Sequence, residues 1–417
     1  LSSSYTGSVV EVRRSSDGTL RSFTAAEVTD GTLTTWVTTS LSNGVFINNG
    51  YETFSGASAS GFTASNTTSA GFANSVIPAG VTGDRLKVSF DLVVASGSPR
   101  VALRATTSTG TASNPLDITT SGSYTATLTA TGPYSYVGFS EGDVPSEFTL
   151  SNFQIIGQDG TVSKWYDQSG NDNHATQGTP ASQPKIVSGG SLVTGGLAFD
   201  GTSDFFQASI GTLTQPISGF SVFKYNSLLN SPVIWDSTSF TNRVISYAIA
   251  SDDTFRINAG APVQSASSSQ VDGTTYLRSD LINTTASEGY VNGTLKISGN
   301  PGTNSMEGLT IGARYDGSVN FTNGSIAEVI IYPSDQSDKR PAIESNIASH
   351  YSITLPTGSN PGSVDGFVST WYDQSGNAND AVQATTTAQP KIVDTGALVA
   401  GGIDFDGVDD WLQYNGS

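Results

Sequence analysis

The chain has 417 residues, of which 13% are charged and 46 are glycine, and its formal net charge is −18 at pH 7. At about 100 to 200 residues per domain, this length predicts two to four domains. The acidic balance argues against a nucleic-acid or anionic-membrane partner. The absence of cysteine excludes disulfides, thiolate metal sites and cysteine nucleophiles.

The composition predicts an all-β fold. Gly, Ser, Thr and Asn are poor to mediocre helix formers, whereas Val, Ile, Thr, Tyr and Phe suit pleated sheets. Hydrophobic residues make up 36% of the chain, which is enough to bury several cores. No apolar stretch approaches the roughly 18 residues that a membrane span needs, so we expect no membrane insertion.

Two segments precede the central part of the chain. Residues 1–37 form an N-terminal segment that contains Tyr-Thr-Gly at 5–7 and Val-Arg-Arg-Ser-Ser-Asp at 12–17. Residues 38–157 are predicted to be a separate β-domain. Their apolar residues alternate with polar ones at 86–92, 101–103 and 124–128, as in half-buried strands.

The same alternation continues through the next 150 residues or so of the chain. Apolar residues alternate with polar ones at 220–222, 245–249 and 255–257, which predicts three half-buried strands. Asn292-Gly293 lies between two short apolar segments and predicts a tight hairpin, because both residues tolerate positive φ.

One helix interrupts the strands. Apolar residues recur every four positions from 343 to 351, which is typical of an amphipathic helix. Ser334 or Ser337 is the expected cap, and the firm part is expected to follow Pro341. The Pro- and Gly-rich residues 354–363 are predicted to be a linker.

A repeat dominates the sequence. Trp-Tyr-Asp-Gln-Ser-Gly-Asn occurs at 165–171 and at 371–377, an offset of 206, and 26 of the 43 positions aligned from 165–207 to 371–413 are identical. Residues 364–417 are therefore predicted to open a second copy of the unit at 158–353. Half a sandwich leaves an apolar face uncovered. We expect the natural chain to run on beyond residue 417, or else another segment to complete the unit.

Three motifs in order resemble the laminin-G-like, concanavalin-A-like jelly rolls. They are the turn at 167–175, the segment Leu-Ala-Phe-Asp-Gly-Thr-Ser-Asp at 197–204, and the pair of segments at 311–314 and 324–329. The Trp-Tyr-Asp-Gln form is similar to the variant in bacteriophage tail and virion proteins, and to the catalytic sandwich of fungal α-L-arabinofuranosidase B. The resemblance implies tandem β-sandwich (jelly-roll) domains with one short amphipathic helix.

The resemblance also implies an inserted domain. In the simple form of this variant, the Arg-Arg-Ser-Ser-Asp segment runs almost directly into the Trp-Tyr-Asp-Gln motif. Here residues 38–157 intervene, and their end is similar to carbohydrate-binding-module sandwiches. Residues 1–37 would then belong to the same lectin-like unit as residues 158–353.

The resemblance gives little support for catalysis. A retaining glycosidase needs two carboxyl groups about 5 to 5.5 Å apart. Asp316 is nearest in position to the arabinofuranosidase acid, but residues 244–249, which correspond to the nucleophile strand, contain no acid. That family's vicinal disulfide is also absent. His174 is replaced by Asp380 in the second copy, which is typical of a turn residue, and we predict no catalytic residue.

Oxygen ligands of the kind that Ca²⁺ prefers cluster in two motifs. The candidate ligands are Asp167, Asn171, Asn173, Asp200 and Asp204. The alternative interpretation is that these side chains bond to backbone amides in tight Asx-type turns. No other cofactor is predicted.

Four residues are candidates for contact with carbohydrate. They are the aromatic residues Trp235, Tyr315 and Phe321, which are expected in loops, together with Asp316. The adjacent aromatic pair at 165–166 is expected to place one ring in the core and leave the other half-exposed, because neighbours on a strand face opposite ways.

The resulting hypothesis is a non-enzymatic structural and adhesive protein of a phage tail or fibre. Its expected partners are cell-surface glycans or other structural subunits, including copies of itself in a homo-oligomer, and its expected location is extracellular or on a virion surface. A secreted bacterial adhesin or polysaccharide-binding protein is the first alternative. A glycoside hydrolase related to arabinofuranosidases is the second.

Overall fold

The computed structural model describes residues 5–40, 43–67, 71–106, 111–141, 144–228, 231–251, 253–266, 272–356, 365–375, 377, 379–394, 397–399 and 401–414. Strands account for 49% of the structure and helices for 9%. The predicted all-β fold is therefore confirmed. Most of the predicted linker, residues 357–363, lies outside the described residues.

The elements fall into three consecutive groups along the chain. The first group precedes residue 158 and consists of β1 (Ser8–Arg14), β2 (Leu20–Thr24), α1 (Ala25–Thr29), α2 (Thr32–Val37), β3 (Ile47–Asn49), β4 (Thr53–Ser55), β5 (Phe62–Ser65), β6 (Phe72–Gly80), β7 (Arg85–Ser96), β8 (Pro99–Arg104), β9 (Leu116–Asp117), β10 (Gly122–Thr129), β11 (Tyr134–Glu141) and β12 (Glu147–Gly157).

The second group consists of β13 (Gly160–Trp165), β14 (Ala175–Thr176), β15 (Lys185–Ser188), β16 (Ser191–Leu192), β17 (Leu197–Asp200), β18 (Phe206–Leu213), β19 (Ile217–Ser227), β20 (Val233–Asp236), β21 (Ile245–Ile249), β22 (Thr254–Asn258), β23 (Val263–Gln264), β24 (Thr275–Ile282), β25 (Ser287–Val291), β26 (Thr294–Gly299), β27 (Met306–Ile311), β28 (Asn323–Tyr332) and α3 (Arg340–Tyr351). The third group consists of β29 (Gly366–Phe367), β30 (Thr370–Trp371), β31 (Ala381–Val382), β32 (Lys391–Asp394), β33 (Ala397–Leu398) and β34 (Gln413–Tyr414).

Strand β13 joins two sheets of the central group. Its first half pairs with β15, and that sheet continues through β17, β28, β19, β24, β25 and β26. Its second half pairs with β14, and the other sheet continues through β18, β27, β20, β21, β22 and β23. The N-terminal strand β1 pairs with β13 on its other edge. We call residues 5–37 and 158–353 together the first unit.

The core of the first unit lies between these two sheets. Phe199, Phe223 and Ile326 come from one sheet, and Phe206 and Ile257 come from the other. This burial is the main favourable contribution to folding. Residues Val10 and Val12 of β1 complete the same core, so residues from both sides of the insert fold together.

Strand β19 is buried on both of its faces. Phe223 and Tyr225 face the core between the sheets, whereas Phe220 and Val222 pack against Ile347 of helix α3. The alternation in the sequence predicted a half-buried strand. The difference arises because α3 covers the outer face of this sheet.

The inward face of β21 differs from the sequence-based expectation. Val244 and Ala248 lie in the main core, while Tyr247 is half-buried. The reason lies on the facing strand β24, where the buried pair Arg278 and Asp280 points inward with Arg278 Nε 2.9 Å from Asp280 Oδ1. The Arg278 guanidinium donates to the backbone oxygen of Tyr247 at 3.1 Å, so polar groups tie the two sheets together.

Helix α3 begins at Arg340 and ends at Tyr351, and Pro341 lies in its first turn. The expected caps Ser334 and Ser337 are wrong. The N-cap is Lys339, which makes no side-chain capping bond. The backbone of Ser334 instead accepts a hydrogen bond from Ser218 Oγ at 2.9 Å, which anchors the preceding turn to β19.

Two local signals match the backbone closely. The predicted hairpin at Asn292-Gly293 joins β25 to β26, with φ of 47° and 75° at its two residues. The short helix α1 was not predicted, although Thr24 and Glu27 form a complete capping box at its start. This Thr-x-x-Glu spacing is a readable sequence signal.

The residues from 43 to 157, which we call the insert, form two five-stranded antiparallel sheets. Their strand orders are β10-β7-β12-β5-β4 and β3-β6-β11-β8-β9. An aromatic cluster fills the space between them, built from Phe46, Phe62, Phe90, Phe139 and Phe148. Rings meet mainly edge to face, as Phe90 and Phe139 do at 5.2 Å.

Buried polar contacts connect the insert to the first unit. Arg13 Nη1 lies 3.3 Å from Asp84 Oδ1, and Tyr134 Oη donates to the backbone oxygen of Ser15 at 3.2 Å. Because all of these groups are buried, each needs its partner.

Residues 365–414, which we call the second unit, repeat the local structure of 159–208. Its strands form two three-stranded sheets, β29-β32-β33 and β30-β31-β34. Phe405 is 45% exposed, whereas its counterpart Phe199 is 3% exposed. Within the described part of the chain, no counterpart of β1, β27 or β28 covers this face.

Candidate functional site

The turn after β13 uses Asp167 to organise its own backbone. The amides of Ser169 and Asn173 donate to the two carboxylate oxygens at 2.9 and 3.0 Å, and Ser169 Oγ donates at 2.9 Å. Partial burial opposes ionisation, but these hydrogen bonds outweigh it and hold the pKa of Asp167 below its usual range. Asn171 points its amide at Ser169 Oγ.

The position that alternates between His and Asp has one role in both copies. The amide of Asp167 donates to His174 Nδ1 at 3.1 Å, and the amide of Asp373 donates to Asp380 Oδ1 at 2.8 Å. An imidazole nitrogen and a carboxylate oxygen therefore satisfy the same donor.

A second turn is built around Asp200. Its Oδ1 accepts from the amides of Thr202 and Ser203 at 2.8 Å each and from the amide of Asp204 at 3.1 Å. In return, Asp204 Oδ2 accepts from the amide of Asp200 at 3.0 Å. Burial, reinforced by the nearby charge of Asp200, raises the pKa of Asp204 to about 7.

These turns do not bring the predicted carboxylate ligands to one point. The three predicted carboxylate ligands, Asp167, Asp200 and Asp204, do not bring their oxygens within 4.8 Å of one another, and Asp167 and Asp200 already accept amide hydrogens. The structure thus favours the Asx-turn interpretation. Of the described residues, only Asp406, Asp409 and Asp410 form such a three-carboxylate group, at a position where the first copy has Ser203.

The predicted carbohydrate contacts separate into buried and surface residues. Trp235 is wrong as a contact, because it lies in strand β20 rather than in a loop and is fully buried. Its ring fills the space over Gly219, where an added Cβ would approach within 2.7 Å. Phe321 is half-buried, and its ring lies 6.4 Å from that of Phe205.

Tyr315 and Asp316 do meet at one surface, together with residues that sequence reasoning missed. Arg243 and Arg314 place their guanidinium carbons 5.2 and 5.1 Å from the Tyr315 ring centroid. Phe240, which is 68% exposed, lies 5.7 Å from the same ring. We call Phe240, Arg243, Arg314, Tyr315 and Asp316 the aromatic platform.

Asp236 supports this platform from below. It lies at the end of β20 and is fully buried, and it accepts from Arg243 Nη2 at 2.7 Å and from the amide of Tyr315 at 2.9 Å. Burial raises the pKa of Asp236, against the opposing effect of Arg243. No motif in the sequence signalled this contact, because it joins residues 79 positions apart.

Asp316 is held in its charged form. Arg314 Nη2 lies 2.8 Å from its carboxylate, and this hydrogen bond lowers the pKa of Asp316 to about 2. The general acid of a glycosidase needs the opposite shift. The platform therefore presents an aromatic edge beside fixed charges of both signs.

No protein-family model matches the sequence, and no curated protein matches it. Among solved structures, the chain is similar to domains LG4-5 of the mouse laminin alpha1 chain, with 11% identity and a TM-score of 0.28, covering 60% of this chain and 82% of that one. It is also similar to a Trypanosoma rangeli sialidase in complex with sialic acid, with 10% identity and a TM-score of 0.33, covering 74% of this chain and 62% of the sialidase.

The fold and the site together define a mostly β protein with large antiparallel sheets. In the described part of the chain, no helix is both long and apolar enough to cross a membrane.

Proposed function

We propose that this chain is a non-enzymatic structural and adhesive protein of a phage tail or fibre, which binds glycans on a host surface. The proposal rests on the aromatic platform. Phe240 and Tyr315 offer apolar ring surface of the kind that suits the apolar side of a sugar. Arg243, Arg314 and Asp316 lie beside the rings and supply donors and an acceptor for hydroxyl groups.

The state of the two nearby carboxyl groups supports a binding role rather than catalysis. Asp316 is ionised and paired with Arg314, so it holds no proton for a leaving group at neutral pH. Asp236 is fully buried and engaged by Arg243 and the Tyr315 amide. Asp316 lacks the raised pKa of the proton donor that glycoside hydrolysis requires, and Asp236, whose pKa is raised by burial, has no exposed surface from which to reach a substrate.

The partners and location follow from this role. Cell-surface glycans would contact the platform, while other structural subunits, including further copies of the chain in a homo-oligomer, would form the fibre. The protein would then lie on a virion surface or outside the cell. A secreted bacterial adhesin with the same site is the alternative, and tail or capsid genes beside this gene would favour the phage assignment.

The test is glycan binding by the full chain on an array of bacterial surface polysaccharides, followed by titration of the best glycan. Phe240→Ala is expected to weaken that binding at least tenfold, because it removes the most exposed ring of the platform. Thr241→Ala, at the neighbouring exposed position, is the matched control and should bind like the wild type. Equal binding by Phe240→Ala would contradict the proposal.

A glycoside hydrolase remains the second candidate, because Asp236 and Asp316 flank one tyrosine and their pKa values are shifted in opposite directions. If this candidate is right, the protein releases reducing sugar in proportion to its concentration. Asp316→Asn and Asp236→Asn would then each abolish the release. We expect no release from the wild type.

A further inference from the structure

The outer face of one sheet in the insert carries a group of polar and aromatic side chains. Phe72 and Asn74 lie on β6, Gly138 lies on β11 and Arg104 lies on β8, with Gly138 paired to Asn74. Their strand neighbours, such as Val137, belong to the core of the insert. Because side chains alternate across a strand, the four residues face away from that core.

Arg104 is buried on this face without a charged partner. It is 5% exposed, its Nε is buried with no hydrogen-bond partner, and no described carboxylate forms an ion pair with it. Its guanidinium instead lies over the Phe72 ring, 4.6 Å from the centroid. Burial accordingly lowers the pKa of Arg104.

Other arginines of the chain show what Arg104 lacks. Arg100, four residues earlier on the same strand, lies 2.7 Å from Asp117, and the buried Arg278 lies 2.9 Å from Asp280. A buried charge without a partner is costly, and such groups are normally paired. The face therefore holds a cation whose anionic partner is not among the described residues.

Gly138 lets the side chains of Asn74 and Arg104 pack directly over the backbone of β11. A Cβ on Gly138 would lie 2.2 Å from Asn74 Oδ1 and 2.6 Å from Arg104 Nε, so any other residue would displace both side chains. The same face continues into the exposed apolar residues Ile47 and Val76, which are 58% and 51% exposed. The buried cation thus borders an apolar strip.

We propose that this face binds the carboxylate group of an acidic saccharide, with the Arg104 guanidinium as its charge partner. A carboxylate and a guanidinium form charge-assisted hydrogen bonds. The sugar ring that carries the carboxylate would lie against Phe72 and the apolar strip. This inference extends the proposed glycan-binding role to a surface separate from the aromatic platform.

An acidic peptide fits this face less well. Extended peptides gain affinity by bonding to the backbone at a sheet edge. Arg104 lies on β8, which has β11 on one side and β9 on the other. The edge strands of this sheet are β3 and β9, so Arg104 lies on an interior strand, where a peptide cannot pair with the backbone.

The test is calorimetric titration of the full chain with oligogalacturonate, oligoglucuronate, oligomannuronate and sialyllactose. Neutral controls are the methyl esters of these sugars. We expect at least one acidic sugar to bind at least tenfold more tightly than its ester. Arg104→Gln should remove this preference, whereas Arg21→Gln, which changes an exposed arginine paired with Glu27, should keep it.

Two further measurements separate binding from folding. Thermal unfolding should show that Arg104→Gln is as stable as the wild type or more so, because it removes an unpaired buried charge. Gly138→Ala is a second variant, which displaces the Arg104 and Asn74 side chains and should also weaken binding at least tenfold. If none of the acidic sugars binds more tightly than its ester in an Arg104-dependent way, the inference is overturned.

The outcomes distinguish this inference from the proposed function. If Phe240→Ala abolishes glycan binding while Arg104→Gln changes nothing, the aromatic platform is the binding site and the insert site is wrong. If only Arg104→Gln abolishes binding, the insert site is right and the platform is wrong. If oligoglutamate binds in an Arg104-dependent way and no acidic sugar binds, the face recognises acidic peptides and the saccharide proposal is wrong.

Discussion

Single residues of the repeat show how one backbone donor can be satisfied by two side chains. His174 and Asp380 occupy the same position in the two copies, and each accepts from the amide of the aspartate seven residues earlier. The sequence comparison correctly suggested a turn residue. It did not reveal the hydrogen bond, because the direction of a side chain is decided by the fold of the turn.

This equivalence gives a first prediction. His174→Asp should change the free energy of unfolding by less than about 1 kcal/mol, because a carboxylate oxygen replaces the imidazole acceptor. His174→Leu should cost about 1 to 3 kcal/mol, because it leaves the Asp167 amide without its acceptor. Denaturant unfolding of both variants checks this. Equal losses in the two variants would show that the hydrogen bond is unimportant.

Asp204 gives a prediction of pH dependence. Its pKa is raised from 3.8 to about 7 in the folded state, so the folded chain holds a proton that the unfolded chain has lost between these values. The contribution of Asp204 to the free energy of unfolding should therefore be fully present below about pH 4 and fall as the pH rises. Above about pH 7 it should be lost, which lowers the free energy of unfolding by at most ~4 kcal/mol.

Asp204→Asn should remove this part of the pH dependence. The amide oxygen of Asn can still accept from the Asp200 amide, and Asn carries no charge at any pH. The variant should match the wild type at pH 4 and melt at a higher temperature at pH 8. Asp410→Asn, at the matching position of the second unit, is the control and should change the pH profile of the first unit little.

At the scale of elements, strands were predictable where one face meets a core and the other meets water. Strand β7 follows the alternation at 86–92, and the hairpin between β25 and β26 follows Asn292-Gly293. Strand β19 was predicted to be half-buried, but both of its faces are buried. Periodicity reports only the contrast between two faces, and it loses its meaning when a helix covers the second face.

Helix α3 should therefore stabilise the first unit through its contact with β19. Ile347→Ala is expected to cost about 2 to 4 kcal/mol, because Ile347 is 4% exposed and packs against Phe220 and Val222. Ser349→Ala changes an exposed position of the same helix and should stay within about 0.5 kcal/mol. Calorimetric unfolding measures both, and similar values would show that the helix contributes little.

At the scale of the whole molecule, the two copies test how much stability comes from local bonds. The second unit keeps the turn bonds of the first, including those to Asp373 and Asp406. It nevertheless exposes Trp371 and Phe405, because few described strands pack over it.

Hydrogen exchange should separate the two copies. Amides of Lys391–Asp394 should exchange at least 100-fold faster than those of Lys185–Ser188, although the two strands have nearly the same sequence, because protection follows the free energy of opening. Mass spectrometry of the full chain measures both strands in one sample. Equal protection would mean that the apolar face is covered in solution, as a homo-oligomer would cover it.

The sequence by itself determined the all-β class, the repeat, the tight turns and the amphipathic helix that became α3. These features depend on composition, on neighbours within a few residues or on a repeated motif, and all of these can be read from the sequence itself. The tertiary structure decided that Trp235 is core, that Asp236 lies under Tyr315, and that Arg104 lacks a carboxylate partner among the described residues. Burial and pairing depend on residues far apart in the chain, so they exist only once the sheets have formed.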